Sequence, residues 1–175
     1  ATDTPVVARI IAVQSDSAHA VAKVNREPNI ATIRVEDFLN SGRETPAAAF
    51  QTLIWAAIKG DDDEFAATVV FGAGAREEAE AWRRTLPAEI QEKYAVVEKL
   101  PGLFLTEEIV RKAATAQVLE VIEVAPDRVR LRVQTSTVDG GNRISVLPLR
   151  RGDHGWGFEI PADMVLAMRR MPAKR

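Results

Sequence analysis

The sequence predicts an α+β domain, with helices in the earlier part of the chain packed on an antiparallel sheet of four or more strands. Three observations carry this prediction. Between Thr45 and Gln117 the apolar residues recur at helical spacing. After Gln117 they alternate, as on a half-buried strand. The alternating part is divided by short turns rich in Gly, Pro and Asp.

The chain has 175 residues, 46% of them hydrophobic and 27% charged, which suits one domain with an ordinary core. Residues 1–44 read as an N-terminal extension and 45–171 as the domain. The formal net charge of −2 argues against a nucleic-acid partner. With no cysteine there is no thiol nucleophile, iron–sulfur cluster or cysteine-ligated zinc. No run approaches the ~20 apolar residues of a membrane span. The chain begins at Ala1, and a bacterial periplasmic or secreted location is slightly favoured over the cytoplasm.

The run 6–13 has apolar residues that fit a helix or a strand, and 25–29 (NREPN) reads as a turn. Residues 31–35 suit a short strand and 40–44 (NSGRE) a loop. Thr45 is a hydroxyl N-cap, followed by Pro46 at the first helical position. Phe50, Leu53, Ile54, Ala57 and Ile58 then form one apolar stripe, ended by Gly60. The acidic run 61–64 opens a second helix, where carboxylates meet free N–H groups and the positive end of the dipole. Phe65, Ala66, Val69 and Val70 supply its apolar side. A charged helix over 75–86 carries Trp82, and another helical stretch runs from Pro87 to about Lys99. Thr106 is the expected cap of a helix over 107–116.

Four strands follow, over 118–124, 128–138, 143–149 and 156–160, and 162–171 is amphipathic. Two-residue turns at Pro126–Asp127 and Gly140–Gly141 pair Val124 with Val129 and Thr135 with Val146. One face then collects Ile122, Val124, Val129, Leu131, Val133, Ile144 and Val146. The other collects Glu123, Arg130, Arg132 and Arg143, and Glu120 falls on the apolar face opposite Val133.

The segment TPAAAFQTLIWAAIKGDDDEF (45–65) and the closing strand GWGFEI (155–160) resemble the nuclear transport factor two-like superfamily. This is the cone-shaped, cystatin-like α+β fold shared with ketosteroid isomerases and polyketide cyclases. The resemblance covers 45–160 and is greatest to bacterial members without an assigned activity. It implies a curved sheet wrapped around the helices, with a pocket inside. Residues 73–117 are longer and more helical than that family needs. The catalytic carboxylates and tyrosine of the isomerases have no matching motif here, and none is carried over.

Glu120 is the sharpest chemical candidate. Burial on an apolar face disfavours its charged form, the condition under which a carboxylate serves as a general base near neutral pH. Tyr94 would be the hydrogen-bond donor of such a proton abstraction, in a lyase or isomerase. The plainer reading of Glu120 is a place at the strand's open end or an ion pair with a helix arginine such as Arg111. Trp55, Tyr94, Phe104 and Trp156 suit the wall of a small-molecule pocket, and they equally suit a core. Arg128, Arg130, Arg132 and Arg143 form a basic stripe with Glu123 opposite Arg130. Leu147 and Leu149 share that face, so Arg130, Arg132, Leu147 and Leu149 define a candidate homodimer interface.

His19 and His154 lack metal-ligand spacing, and the run 61–64 lacks the alternation of a calcium loop. No metal and no cofactor is expected. The sequence therefore points to a non-catalytic domain that binds a small apolar molecule or a protein partner. An enzyme using Glu120 and a dimerising structural module are the alternatives.

Overall fold

The computed structural model describes residues 32–171, and residues 23–25 by their backbone pairing. The expectations for 6–13 and for the turn that follows Asn25 lie outside the described residues. Two short strands come first, β1 (Lys23–Asn25) and β2 (Ile33–Arg34). Then come α1 (Pro46–Lys59), α2 (Asp62–Ala67), β3 (Val69–Phe71), α3 (Ala75–Arg84), α4 (Ala88–Lys93) and α5 (Gly102–Lys112). Four long strands close the sheet: β4 (Ala113–Ala125), β5 (Arg128–Thr137), β6 (Asn142–Gly152) and β7 (Gly155–Ile160). Helix α6 (Ala162–Arg170) follows them. The architecture is α+β, with helices packed on a curved, mostly antiparallel sheet.

The sheet has seven strands in the order β1-β4-β5-β6-β7-β3, and β2 also pairs with β4. The exception to antiparallel pairing is β3, which lies parallel to β7. The sequence assigned Val69 and Val70 to the second helix. That helix ends at Ala67, where the Thr68 hydroxyl donates to the Phe65 carbonyl at 2.6 Å. Two β-branched residues and a phenylalanine then extend beside β7, the conformation such side chains favour.

Several helix boundaries agree with the sequence signals. Thr45 Oγ1 accepts from Ala48 N at 3.2 Å, Gly60 closes α1 at φ 68°, and Asp61 Oδ1 accepts from Glu64 N at 3.0 Å. Others move. Helix α5 begins at Gly102, not at Glu107, and ends at Lys112. Ala113 and Ala116, expected in that helix, pair with Thr137 and Thr135 of β5. Sheet pairing outweighs the helical preference of alanine here. The stretch from Pro87 to Lys99 splits into α4 and a 3-10 turn over Val97–Lys99.

The strand registers also depart from simple hairpins. The Pro126–Asp127 turn is as expected, with Ala125 opposite Arg128. Irregularities between Ala113/Thr115, Val118/Glu120 and Glu123/Ala125 then shift the rest of β4. Glu120 lies opposite Arg132, and Val118 takes the place opposite Val133. Ile122 is opposite Arg130, and Val124 is 45% exposed. In the next hairpin Thr135 pairs with Arg143, three residues from its expected partner. The loop there is Val138, Asp139 and Gly140, closed by Thr137 N donating to Gly141 O at 2.8 Å, with Gly140 at φ 90°. Three-residue loops of this kind place glycine in the left-handed region. An odd displacement exchanges the faces of a strand. Leu147 and Leu149 therefore turn inward, and Ile144 is 53% exposed.

Helix α1 lies between two apolar clusters. Leu53, Ala56 and Ala57 join the cluster holding Phe65, Trp82, Leu100, Ile160 and Met164. Ala49, Phe50 and Ile54 join the one holding Val118, Val121, Leu131, Val133 and Leu149. Val35 and Phe38 complete the second, with the Phe38 and Phe50 rings edge to face at 6.1 Å. The NSGRE loop is tied to α1 through buried Thr52, whose hydroxyl accepts from Ser41 N at 3.0 Å and donates to Gly42 O at 2.8 Å. It is tied to β7 by Trp156 N donating to Arg43 O at 2.8 Å.

The β3–β7 contact depends on Gly157. A Cβ there would come within 2.6 Å of Val70 Cγ2 and 2.9 Å of Thr68 O. Gly157→Ala is expected to lower unfolding free energy by about 1–3 kcal/mol, the range for overpacking a tight site. Denaturant titration followed by tryptophan fluorescence measures it, and an unchanged midpoint would exclude this close approach.

Candidate functional site

Where α1, α5 and the inner face of the sheet meet, packing leaves a cavity of about 160 Å³. From α1 it is lined by Phe50, Leu53 and Ile54, residues of the predicted apolar stripe. From α5 it is lined by Leu105, Ile109 and Lys112, which fall on one helical face. Ala116, Val133, Leu147 and Phe158 complete an apolar wall from four strands.

The polar groups collect at one end. Along β5, buried Val129, Leu131 and Val133 are followed on the same face by half-buried Thr135 and Thr137. Along β6, buried Leu149 and half-buried Leu147 give way to Ser145 and Arg143. Thr135 and Arg143 are direct cross-strand partners. The inner face thus grades from apolar to polar toward the β5–β6 loop, which marks the mouth. Val138 N donates to Lys112 O at 3.2 Å, joining that loop to the end of α5.

Two cations stand at this mouth, Lys112 and Arg143. Among the described residues no carboxylate lies within ion-pair distance of Arg143. The carboxylate of the adjoining loop, Asp139, accepts a hydrogen bond from Thr137 Oγ1. That bond, helped by the Gly141 N–H, holds the Asp139 carboxyl below its ordinary value of 3.8.

The residues singled out from the sequence lie elsewhere. Glu120 does not face the apolar interior: the irregularity at Val118/Glu120 turns it to the outer face, with Oε2 3.8 Å from Arg132 Nη1. Tyr94 is buried in the cluster of Trp82, Val97 and Leu100, which holds no residue of β4. The two are not brought into one site. Trp55 packs against both clusters, Phe104 lies 5.7 Å from the Trp82 ring, and Trp156, on β7, is buried in the cluster of Val118, Leu131 and Leu149. None of these four aromatics lines the cavity. Arg130 and Arg132 lie on the outer face as expected, but Arg143, Leu147 and Leu149 lie on the inner one. The Arg/Leu surface is therefore not assembled as a single face. The side chain of Arg111 lies outside the described residues.

Thr135 and Thr137 were recognisable, since they continue the face of Val133 with hydroxyls. Arg143 and Ser145 were not, because they are placed by the loop geometry. No described helix is long and apolar enough to cross a membrane. Comparison with protein-family models, with curated proteins and with solved structures finds no match in any of the three.

Two predictions follow from the placements of Glu120 and Asp139. Glu120→Gln breaks only a partly exposed ion pair and is expected to change stability by less than about 1 kcal/mol in chemical unfolding. A larger loss would indicate a buried charge instead. Asp139 contributes stability above its unfolded value, and that contribution is lost as pH falls through the depressed folded value. In Thr137→Val the Asp139 carboxyl carbon is expected to titrate at higher pH by NMR, and coincident titration curves would count against the hydrogen bond.

Proposed function

We propose that this chain is a non-catalytic binding domain of the nuclear transport factor two-like kind, taking up one small apolar molecule between α1, α5 and the sheet. The observation that carries this reading is the apolar cavity of about 160 Å³ lined by residues of both buried clusters. An apolar cavity of ~150 Å³ admits a benzene-sized guest and otherwise stays dry. At ~24 cal/mol per Å³, an enclosed void this size costs about 4 kcal/mol, an upper bound for one with a mouth. A guest that restores those contacts binds by recovering part of that cost. The family reading draws support from the order of elements: α1 to α5, interrupted by β3, precede the curved meander β4–β7, whose last strand is GWGFEI. The titratable side chains described on the lining are Lys112 and Arg143, which suit holding a guest better than abstracting a proton.

Native mass spectra of the purified chain, beside its denatured mass and after incubation with indole, test the reading. A non-covalent adduct lost on denaturation is expected, with a rise in Tm in saturating indole. Ala116→Leu, which extends a cavity-lining residue into the space, is expected to keep or raise Tm and to abolish the adduct. Clean masses and an unmoved Tm in the unaltered chain would remove the cavity as a binding site.

A further inference from the structure

We infer that the guest of this cavity is a small organic acid, with an apolar body of roughly six to eight carbons and a carboxylate bound by Arg143 at the mouth. The inference rests on the cavity being a ligand site and adds the chemistry of the guest's end group. Arg143 stands on the inner face of β6, at the polar end of a wall that is otherwise apolar. It is half-buried, and among the described residues it has no carboxylate partner. On the outer face, by contrast, Arg132 has Glu120 within 3.8 Å.

A guanidinium presents a planar fork that matches a carboxylate, and a partly desolvated site strengthens such charge-assisted bonds. Thr135, directly across from Arg143, and Ser145, next on the same face, add hydroxyls to the same end of the cavity. Asp139, the carboxylate of the neighbouring loop, is turned into its own turn by Thr137. The apolar depth excludes a highly hydrated anion such as inorganic phosphate as the main guest, because most of the wall offers it no hydrogen bonds.

The test is calorimetric titration of the whole chain at pH 7 with octanoate and with 1-octanol, matched in body and different in charge. Octanoate is expected to bind at least ten-fold more tightly, and raising the salt concentration to weaken octanoate alone. Arg143→Met is expected to bring octanoate down to the level of octanol, with a much smaller effect on octanol itself. Arg143→Lys, which keeps the charge but not the fork, is expected to fall between, and its unfolding midpoint controls for folding. Equal binding of both probes to every variant would overturn the acid inference while leaving the cavity as a site for neutral guests. Tighter octanoate binding that survives Arg143→Met would overturn the role of Arg143. Binding of neither probe would overturn the cavity reading, and this inference with it.

Discussion

The irregular pairing of β4 with β5 is the constraint on which the rest of the structure depends. A regular antiparallel pair alternates its faces every residue, which would send Glu120 inward with Val118. Instead, the register shifts at three places along the 13 residues of β4. Ala116, Val118 and Val121 all reach the inner face although their spacing is not uniformly two. Bulges of this kind bend a strand and increase its twist. The bend lets the sheet curve around α1, and it turns Glu120 outward onto Arg132.

Helix α1 answers that curvature with small residues. Ala49, Ala56 and Ala57 are almost fully buried, so neighbouring elements approach its backbone closely. Its larger side chains divide between two clusters, and Trp55 and Leu147 pack against both. The cavity lies between the sheet, α5 and the Phe50 and Leu53 side of α1. The same geometry sets the chemistry of its mouth, since β5 and β6 run out of apolar residues at Thr135 and Ser145.

Much of this was legible in the sequence, where local chemistry decides the outcome. The Thr45-Pro46 start, the Gly60 stop, the Asp61 cap and the Pro126–Asp127 turn each follow from groups a few residues apart. The change from helical to alternating period located the sheet. What was not legible depends on partners distant in sequence. Val69–Phe71 became a strand because β7 offers an edge and a glycine at 157 to pack against. The Gly140–Gly141 pair suggested a two-residue turn, but the loop uses Val138, Asp139 and Gly140. That one difference moved Arg143, Leu147 and Leu149 from an imagined outer surface to the inner wall. The bulges moved Glu120 the opposite way. The inward Glu120 and the Arg/Leu interface read from the sequence both depended on uninterrupted alternation.

The register of β6 is therefore the most direct point at which to test the structure and the site together. The chain has no cysteine, so a thiol introduced at one position reports on that position alone. Ile144→Cys and Leu149→Cys lie on opposite faces, at residues 53% and 3% exposed in the unaltered chain. The measurement is the rate of alkylation of each under native conditions. Rapid labelling at residue 144, with labelling at 149 only after unfolding, is the predicted result. Protection at 144 with rapid labelling at 149 would place Arg143 on the outer face and contradict the account.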